Sequence, residues 1–246
     1  LSCVSEGKIT ATLKASVHKM VNFQDLPDEL VLKILSFIET IDLIGCGQVS
    51  KRIRRISHDV TLWVTANLEK KTVKTELLEM ILRKGCRTLN LSHSEILGSL
   101  SSNIKSQLRV LNLSQILCSG EETLILEELL SSCSSLKHLI MKNVLITPKM
   151  AEGICKNGKT LQTLNLNNSF LEEVDGTHAD LQEIIKCCQE LKEVDLAYLN
   201  DAEGHTDADL QFLVKNIPTN IEKLNLSSVK DDHVKILLSS ATKSRN

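Results

Sequence analysis

The chain has 246 residues, a formal net charge of −2 and 42% apolar residues, of which very few are aromatic. That length allows one large domain, or a small and a medium one, and the near-neutral charge argues against a general nucleic-acid binder, whose domains are strongly basic. No run of about eighteen apolar residues exists to cross a membrane, no secretory leader pattern is visible, and leucine carries the core, which points to helical or repeat architecture.

Residues 1–22 are weakly patterned and are expected to form a disordered tail, with Met20 a candidate start. The first helix is predicted to begin at Pro27, because a missing N–H costs nothing at the first helical position. Asp28 and Glu29 then sit at the positive end of the helix dipole. Leu30, Ile34, Phe37 and Ile38 share one face by their spacing, and Val31 and Leu35 widen it beyond the usual stripe. Thr40 is predicted to cap a second helix through Asp42, Leu43 and Ile44. A third runs from Ser50 to His58, with Val49, Ile53 and Ile56 apolar and Lys51, Arg52, Arg54 and Arg55 outward. Leu62 and Trp63 close the unit. Some 45 residues bury too little surface for comfortable stability, since below roughly 70–80 residues a core rarely supplies more than about 3–5 kcal/mol. The over-apolar helix is therefore either a docking surface or part of a cap on the remainder of the chain.

Leu26-Pro27-Asp28-Glu29-Leu30, then Ile34-Leu35, Ile41-Asp42-Leu43, Val49-Ser50-Lys51-Arg52, Asp59 and Leu62-Trp63 resemble the F-box motif in order and spacing. Ser50 and Ile53 depart from it, standing where the family carries Cys and Trp. The resemblance implies docking to the S-phase kinase-associated protein 1 adaptor of a cullin-RING ubiquitin ligase. By position, Leu26, Pro27, Leu30, Ile34 and Leu35 are the implied anchors, supported by Leu43, Val49, Leu62 and Trp63.

A helix predicted over Val73–Lys84 comes next, buried through Leu77, Leu78, Ile81 and Leu82 and stopped by Gly85. From there a Leu-x-x-Leu-x-Leu pattern recurs from Cys86, Leu108, Leu136, Leu161, Leu191 and Ile221, at intervals of 22, 28, 25, 30 and 30 residues. Most intervals carry a helically spaced apolar segment: Leu126, Leu129 and Leu130; Met150 and Ile154; Leu181, Ile184 and Ile185; Leu210, Leu213 and Val214; Val234, Leu237 and Leu238. A short strand plus a helix at this period is the leucine-rich repeat signature, and no repeat can bury its apolar side without its neighbours. Cys133 and Cys188 each precede a repeat by three residues, which resembles the cysteine-containing subtype. The Asn or Cys usual at the ninth position is replaced by Ser94, Ile116, Val144, Ser169, Leu199 and Val229, so the turn there is expected to be looser or satisfied by water.

The eight cysteines include no Cys-x-x-Cys pair, which predicts free thiols, largely buried, rather than disulfides or zinc. No catalytic constellation, phosphate-cradling loop or metal pattern is recognisable among the seven histidines and the glycines. The basic run at 51–55 reads as a solvated helix face, and the acidic stretch 201–209 as a helix start with Thr206 or Asp207 as cap.

The predicted fold class is α/β: a three-helix F-box (23–70), then a curved leucine-rich repeat solenoid (71–246) of about six repeats with a leading helix, parallel strands inside and helices outside. The layout resembles the S-phase kinase-associated protein 2 type. The implied function is a non-catalytic substrate receptor in a cullin-RING ligase of the cytoplasm or nucleus. Its partners are the adaptor, through it the cullin and RING subunits, and an unidentified protein substrate. No cofactor, metal, nucleic acid or membrane is expected. The alternative is a repeat scaffold or inhibitor without ligase coupling. Positions three, five and seven of the repeats are expected to line the exposed face, and the fifth holds Asn90, Asn112, Ile140, Asn165, Asp195 and Asn225. No arginine occupies these columns, so the substrate is expected to be held by amide hydrogen bonds through Asn112, His138, Asn165, Asp195 and Asn225, with Tyr198 as an aromatic anchor.

Overall fold

The computed structural model describes residues 22–101, 103–116, 121–174, 177–178, 181–199 and 216–227. The expected segments around Leu210, Thr206 and Leu237, Val229 and the tail 1–21 lie outside them.

Three short helices open the fold: α1 (Asp28–Leu35), α2 (Thr40–Val49) and α3 (Lys51–Ser57). Pro27 is the N-cap of α1 rather than its first residue, so the helix starts one residue after the predicted start, with an extended ψ at Pro27 that leads the chain in. Thr40 lies inside α2 and does not cap it; its hydroxyl instead accepts from the Asn67 N–H at 3.2 Å. Ser50 does cap α3, accepting from the Ile53 N–H at 3.1 Å. A hydroxyl there closes the orphan donor that the helix start leaves. Arg52 is no solvated residue: Nε reaches Asp28 at 2.8 Å, and the guanidinium also donates to the carbonyls of Gln24 and Leu26, tying α3 to the start of α1.

The rest is built on one seven-stranded parallel sheet. Its strands, in spatial and chain order, are Thr65–Asn67, Thr88–Asn90, Val110–Asn112, His138–Ile140, Thr163–Asn165, Glu193–Asp195 and Lys223–Asn225. Each pairs in register, position three against position three. Among the described residues four helices come after strands: α4 (Thr75–Arg83), α5 (Glu121–Ser132), α6 (Pro148–Lys156) and α7 (Leu181–Cys187). The middle leucine of each pattern is buried at the second to fifth repeats, through Leu89, Leu111, Leu139 and Leu164, in one core shared with the helices.

Two boundaries move. The sheet has seven strands, not six, because Trp63-Val64-Thr65-Ala66-Asn67-Leu68 is itself a repeat with Trp63, Ala66 and Leu68 buried at its apolar positions. A division at residue 70 therefore cuts through the first repeat. The helix predicted from Val73 starts at Thr75, because Thr72–Lys74 is a strand that pairs with Glu95–Leu97. Gly85, at φ 84°, ends α4 as expected of a residue free to enter the left-handed region.

The ninth position is not loose. Ser94 Oγ donates to the Leu68 carbonyl at 2.6 Å and accepts from Lys71 N–H at 3.4 Å. Ser169 does the same further along the array, donating to Met141 O at 2.5 Å and accepting from Val144 N–H at 3.1 Å. Both hydroxyls are fully buried, so each serine does for the preceding repeat what a longer amide does elsewhere. Where the ninth residue is Ile116, Val144 or Leu199 it joins the core.

Asn157, only 1% exposed, binds three neighbours: Leu136 N–H at 3.0 Å, Cys133 O at 3.1 Å and Gly153 O at 2.9 Å. It thus joins the end of α6 to the loop of the preceding repeat. Asn157→Ala leaves buried donors and acceptors unpaired, which costs about 1–3 kcal/mol for each such group. The expected result in urea denaturation is a lower midpoint, corresponding to a loss of about 2–3 kcal/mol, with no change in secondary structure below the transition.

Candidate functional site

Helix α1 has two apolar sides, and the fold buries only one. Val31 and Leu35 enter the core, while Leu30 is 51%, Ile34 41% and Phe37 77% exposed. Leu30, Ile34 and Phe37 succeed one another at helical spacing and form a continuous solvent-facing stripe. Val49 is also exposed at the end of α2, Pro27 is exposed, and Leu26 and Leu62 are half-buried. The implied anchors thus separate. Leu30, Ile34, Pro27 and Val49 are open to a partner, whereas Leu35, Leu43 and Trp63 are buried within the chain and can act only by holding the helices. Spacing alone could not assign Leu35, because both stripes of α1 satisfy a helical period.

The stripe is held by polar contacts beneath it. Asp28 at the head of α1 pairs with Arg52 at 2.7 Å and with Arg55. The hydrogen bond from Arg52 keeps the Asp28 carboxyl below its ordinary value of 3.8. A depressed carboxyl stabilises the fold above its unfolded pKa and loses that contribution as pH falls through the folded one. Asp28→Asn is therefore expected to lower the melting temperature at neutral pH. Acid titration should narrow the gap to the native chain as pH falls from 3.8 and close it only below the lower folded value, where the Asp28 carboxyl is neutral as well.

Repeat positions three and five form the second candidate surface. Their residues from Thr88 to Asp195 are half-buried, but at position seven Ser92, Ser114 and Ala197 are buried and not part of an open face. The amide row is largely committed internally. Asn90, Asn112, Asn165, Asp195 and Asn225 each accept, through a side-chain oxygen, from the backbone N–H two residues on, at 3.0–3.2 Å. Asn67 does so toward Glu69. Asn90 also donates to Asn67 and Asn165 to Asp195. Such Asx turns end each strand. The side-chain oxygens of the expected hydrogen-bonding ladder thus already serve the backbone, a use that the sequence does not distinguish from substrate binding. His138 meets Thr163 at 2.9 Å across the sheet.

In the first six repeats the chain enters the left-handed region at the eighth position: Lys70, His93, Gln115, Asn143, Asn168 and Tyr198 have φ between 53° and 57°. Non-glycine residues rarely adopt it. Here each N–H up to Asn168 is fixed by a carbonyl of the next repeat, for example His93 to Ser114 at 2.9 Å. Tyr198, 54% exposed, belongs to this rim rather than to the strand face. The sequence signal for the rim is a polar or aromatic residue three after the Asn, and the columns at positions three, five and seven do not sample it.

Position two lies outside those columns as well, and it is where the charge lies. Arg87, Arg109 and Lys137 stand there on three neighbouring strands, all exposed.

Among the described residues no three His, Cys, Asp or Glu side chains come together to hold a metal, and no helix is long and apolar enough to cross a membrane. Six cysteines are described, all free; Cys86, Cys133 and Cys188 are buried, and Cys46, Cys155 and Cys187 are partly exposed. Burial pushes the Cys86 and Cys133 thiols up to about 11 and Cys188 to about 12. Burial and then the neighbouring Cys187 thiol raise Cys155. Alkylation with iodoacetamide at pH 7.5 under native conditions should spare Cys86, Cys133 and Cys188, since the thiolate is the reactive form. Denaturation without reductant should expose all eight thiols of the chain; a missing pair would reveal a disulfide.

Residues 23–69 match the F-box-like family. The chain is also 26% identical, over 192 residues covering 71% of its length, to an F-box/FBD/LRR-repeat protein of Arabidopsis thaliana. It spans 44% of that relative's length. The match to the family ends at Glu69, inside the first repeat, where the fold also joins the two units. These similarities, with the parallel repeat sheet, support a relation of the chain to the F-box/leucine-rich-repeat proteins.

Proposed function

We propose that this F-box and leucine-rich-repeat chain is the substrate-recognition subunit of a cullin-RING ubiquitin ligase. The F-box would dock the S-phase kinase-associated protein 1 adaptor, and through it the cullin and RING subunits. The repeats would hold a protein substrate for ubiquitination and proteasomal degradation. The single observation that carries this reading is the Leu30–Ile34–Phe37 stripe, apolar side chains of α1 and the turn after it left in water while the neighbouring face of the helix, Val31 and Leu35, is buried. A contiguous exposed apolar surface of this kind marks an interaction site. In this reading the chain performs no chemistry; it raises the effective concentration of a substrate lysine near the charged enzyme. The setting is the cytoplasm or nucleus.

The test separates docking from folding. Leu30→Ala with Ile34→Ala removes exposed side chains, so stability should move by no more than about 0.5 kcal/mol for each. Adaptor affinity should fall by more than about 2 kcal/mol, roughly thirtyfold, as expected for central apolar anchors. Leu35→Ala should do the reverse first, destabilising the fold by about 2–5 kcal/mol through a core cavity. Calorimetric titration of purified adaptor, with thermal melts of each variant, reads both. Full adaptor affinity in the double variant would sink the docking assignment, and a native chain that never binds adaptor would favour a repeat scaffold or inhibitor without ligase coupling.

A further inference from the structure

We infer that the amino-terminal ends of the second to fourth strands form a docking rim for an acidic, Asp- and Glu-rich segment of a partner protein, an inference that rests on reading the repeats as a substrate receptor. The carrying observation is a segregation of charge. The residues leading into the second to fifth strands, 83–88, 105–110, 133–138 and 158–163, contain Arg83, Lys84, Lys105, Arg87, Arg109, Lys137 and Lys159 and no carboxylate. The chain as a whole is slightly acidic, with 31 Asp and Glu against 29 Lys and Arg. A window set this one-sided is therefore not a reflection of composition.

The fold brings the cations together. Arg87, Arg109 and Lys137 occupy the same position in successive repeats, and the backbone fixes their register: Arg109 N–H donates to Arg87 O and Lys137 N–H to Arg109 O, each at 2.8 Å. Neighbouring strands lie about 4.8 Å apart, so the three side chains start from points spread over about 10 Å. All three are exposed, and none makes a side-chain hydrogen bond or ion pair among the described residues. The later repeats are different. Lys192 faces Glu222 at 3.8 Å and Lys223 faces Glu193 at 2.6 Å, so charge there is matched within the chain. An uncompensated cationic row beside a self-neutralised one selects an anionic partner.

The row also says which anion. The cations lie in a line on a rim and none is buried, so there is no enclosed pocket where forked guanidinium groups close on one phosphoryl group. A line of single charges is complemented by a line of carboxylates. An extended segment advances about 3.3 Å per residue, so four or five residues cover the row from Arg87 to Lys159. Binding of this kind is screened by salt over about 8 Å at physiological ionic strength and acts chiefly on capture and orientation.

The test uses the full chain and fluorescence anisotropy with three short labelled peptides: one rich in glutamate, its glutamine counterpart, and that counterpart with one phosphoserine. The glutamate peptide is expected to bind at low salt and to be released as salt rises. Arg87→Ala, Arg109→Ala and Lys137→Ala together should weaken it about tenfold, the sum of three exposed ion pairs. A variant with the same charge change elsewhere, Lys51→Ala, Lys74→Ala and Lys156→Ala, should bind almost as the native chain does. Equal binding of the glutamine peptide, or equal loss in the displaced triple variant, overturns the rim. Preference for the phosphoserine peptide over the glutamate one overturns the choice of an acidic segment. Adaptor titration of the rim variant keeps the two readings apart: loss of the glutamate peptide with unchanged adaptor affinity supports the rim, and a native chain that binds the peptide but never adaptor overturns the receptor reading alone.

Discussion

Trp63 is the residue on which both halves of the fold depend. It ends the F-box, yet it occupies the first apolar position of the first repeat, one residue before the strand-leading Val64. Its ring is almost fully buried, its indole N–H donates to Ser57 O at 2.8 Å, and Lys84, just before the second repeat, lies 5.1 Å above it. A large aromatic can fill the space between two packed units while its single polar group finds one partner. The consequence is a core without a seam: Leu43 and Ile53 of the small unit belong to the same cluster as Ala66, Leu68 and Leu78 of the repeats. A unit of this size, too small to be stable alone, is therefore stabilised by the array it precedes. A receptor that works by proximity needs such a joint, since effective concentration is lost when the spacing between two bound partners is free to vary.

Beyond that joint, the sheet is governed by how each strand ends. The regular strands end after three residues, and the chain must turn toward the helix side without leaving buried donors. Asn at position five supplies an acceptor for the N–H two residues on, and the eighth residue then takes a left-handed conformation. Ile140 breaks the column, and its repeat is served from next door: Ser114 Oγ accepts from Lys142 N–H at 3.3 Å. The same accounting explains the buried Ser94 and Ser169 hydroxyls. In a structure where each unit touches only its neighbours, polar satisfaction between units sets the register as firmly as leucine burial does.

Much of this was legible in the sequence, and the failures have physical causes. Leucine alternation located six strands; in five of them the alternating side chains are buried, and in the last Leu224 is 39% exposed. The first strand escaped because Trp63 and Ala66 stand where leucine is expected; a large and a small residue fill one layer jointly, which a pattern of like residues does not register. The wide apolar face on α1 resolves into one buried and one exposed stripe, but a helical period fits both, so the inward one, Val31 and Leu35, emerged only from packing. The Asn column was visible, but its role was not. An exposed strand amide and an Asx-turn amide look identical in sequence, and the deciding partner is a backbone N–H two residues away. Arg52, which reads as part of a solvated basic run, is an internal strut for a related reason: its partners at Asp28, Gln24 and Leu26 are more than twenty residues distant.

The position-two cations give the array a direction. Arg87 stands on the strand next to Thr65–Asn67, which lies just beyond Trp63. The uncompensated row therefore starts one strand spacing, about 4.8 Å, from the joint with the F-box and runs away from it. The matched pairs, Lys192 with Glu222 and Lys223 with Glu193, lie at the far end. The array is thus polar along its length, with its unmet charge nearest the small helical unit. An anionic segment caught on that row would be held close to the rigid joint rather than at the tip of the array, where small bends between repeats accumulate. Position along the sheet, more than chemistry at any one residue, then decides how closely a bound chain is fixed relative to whatever covers Leu30 and Ile34.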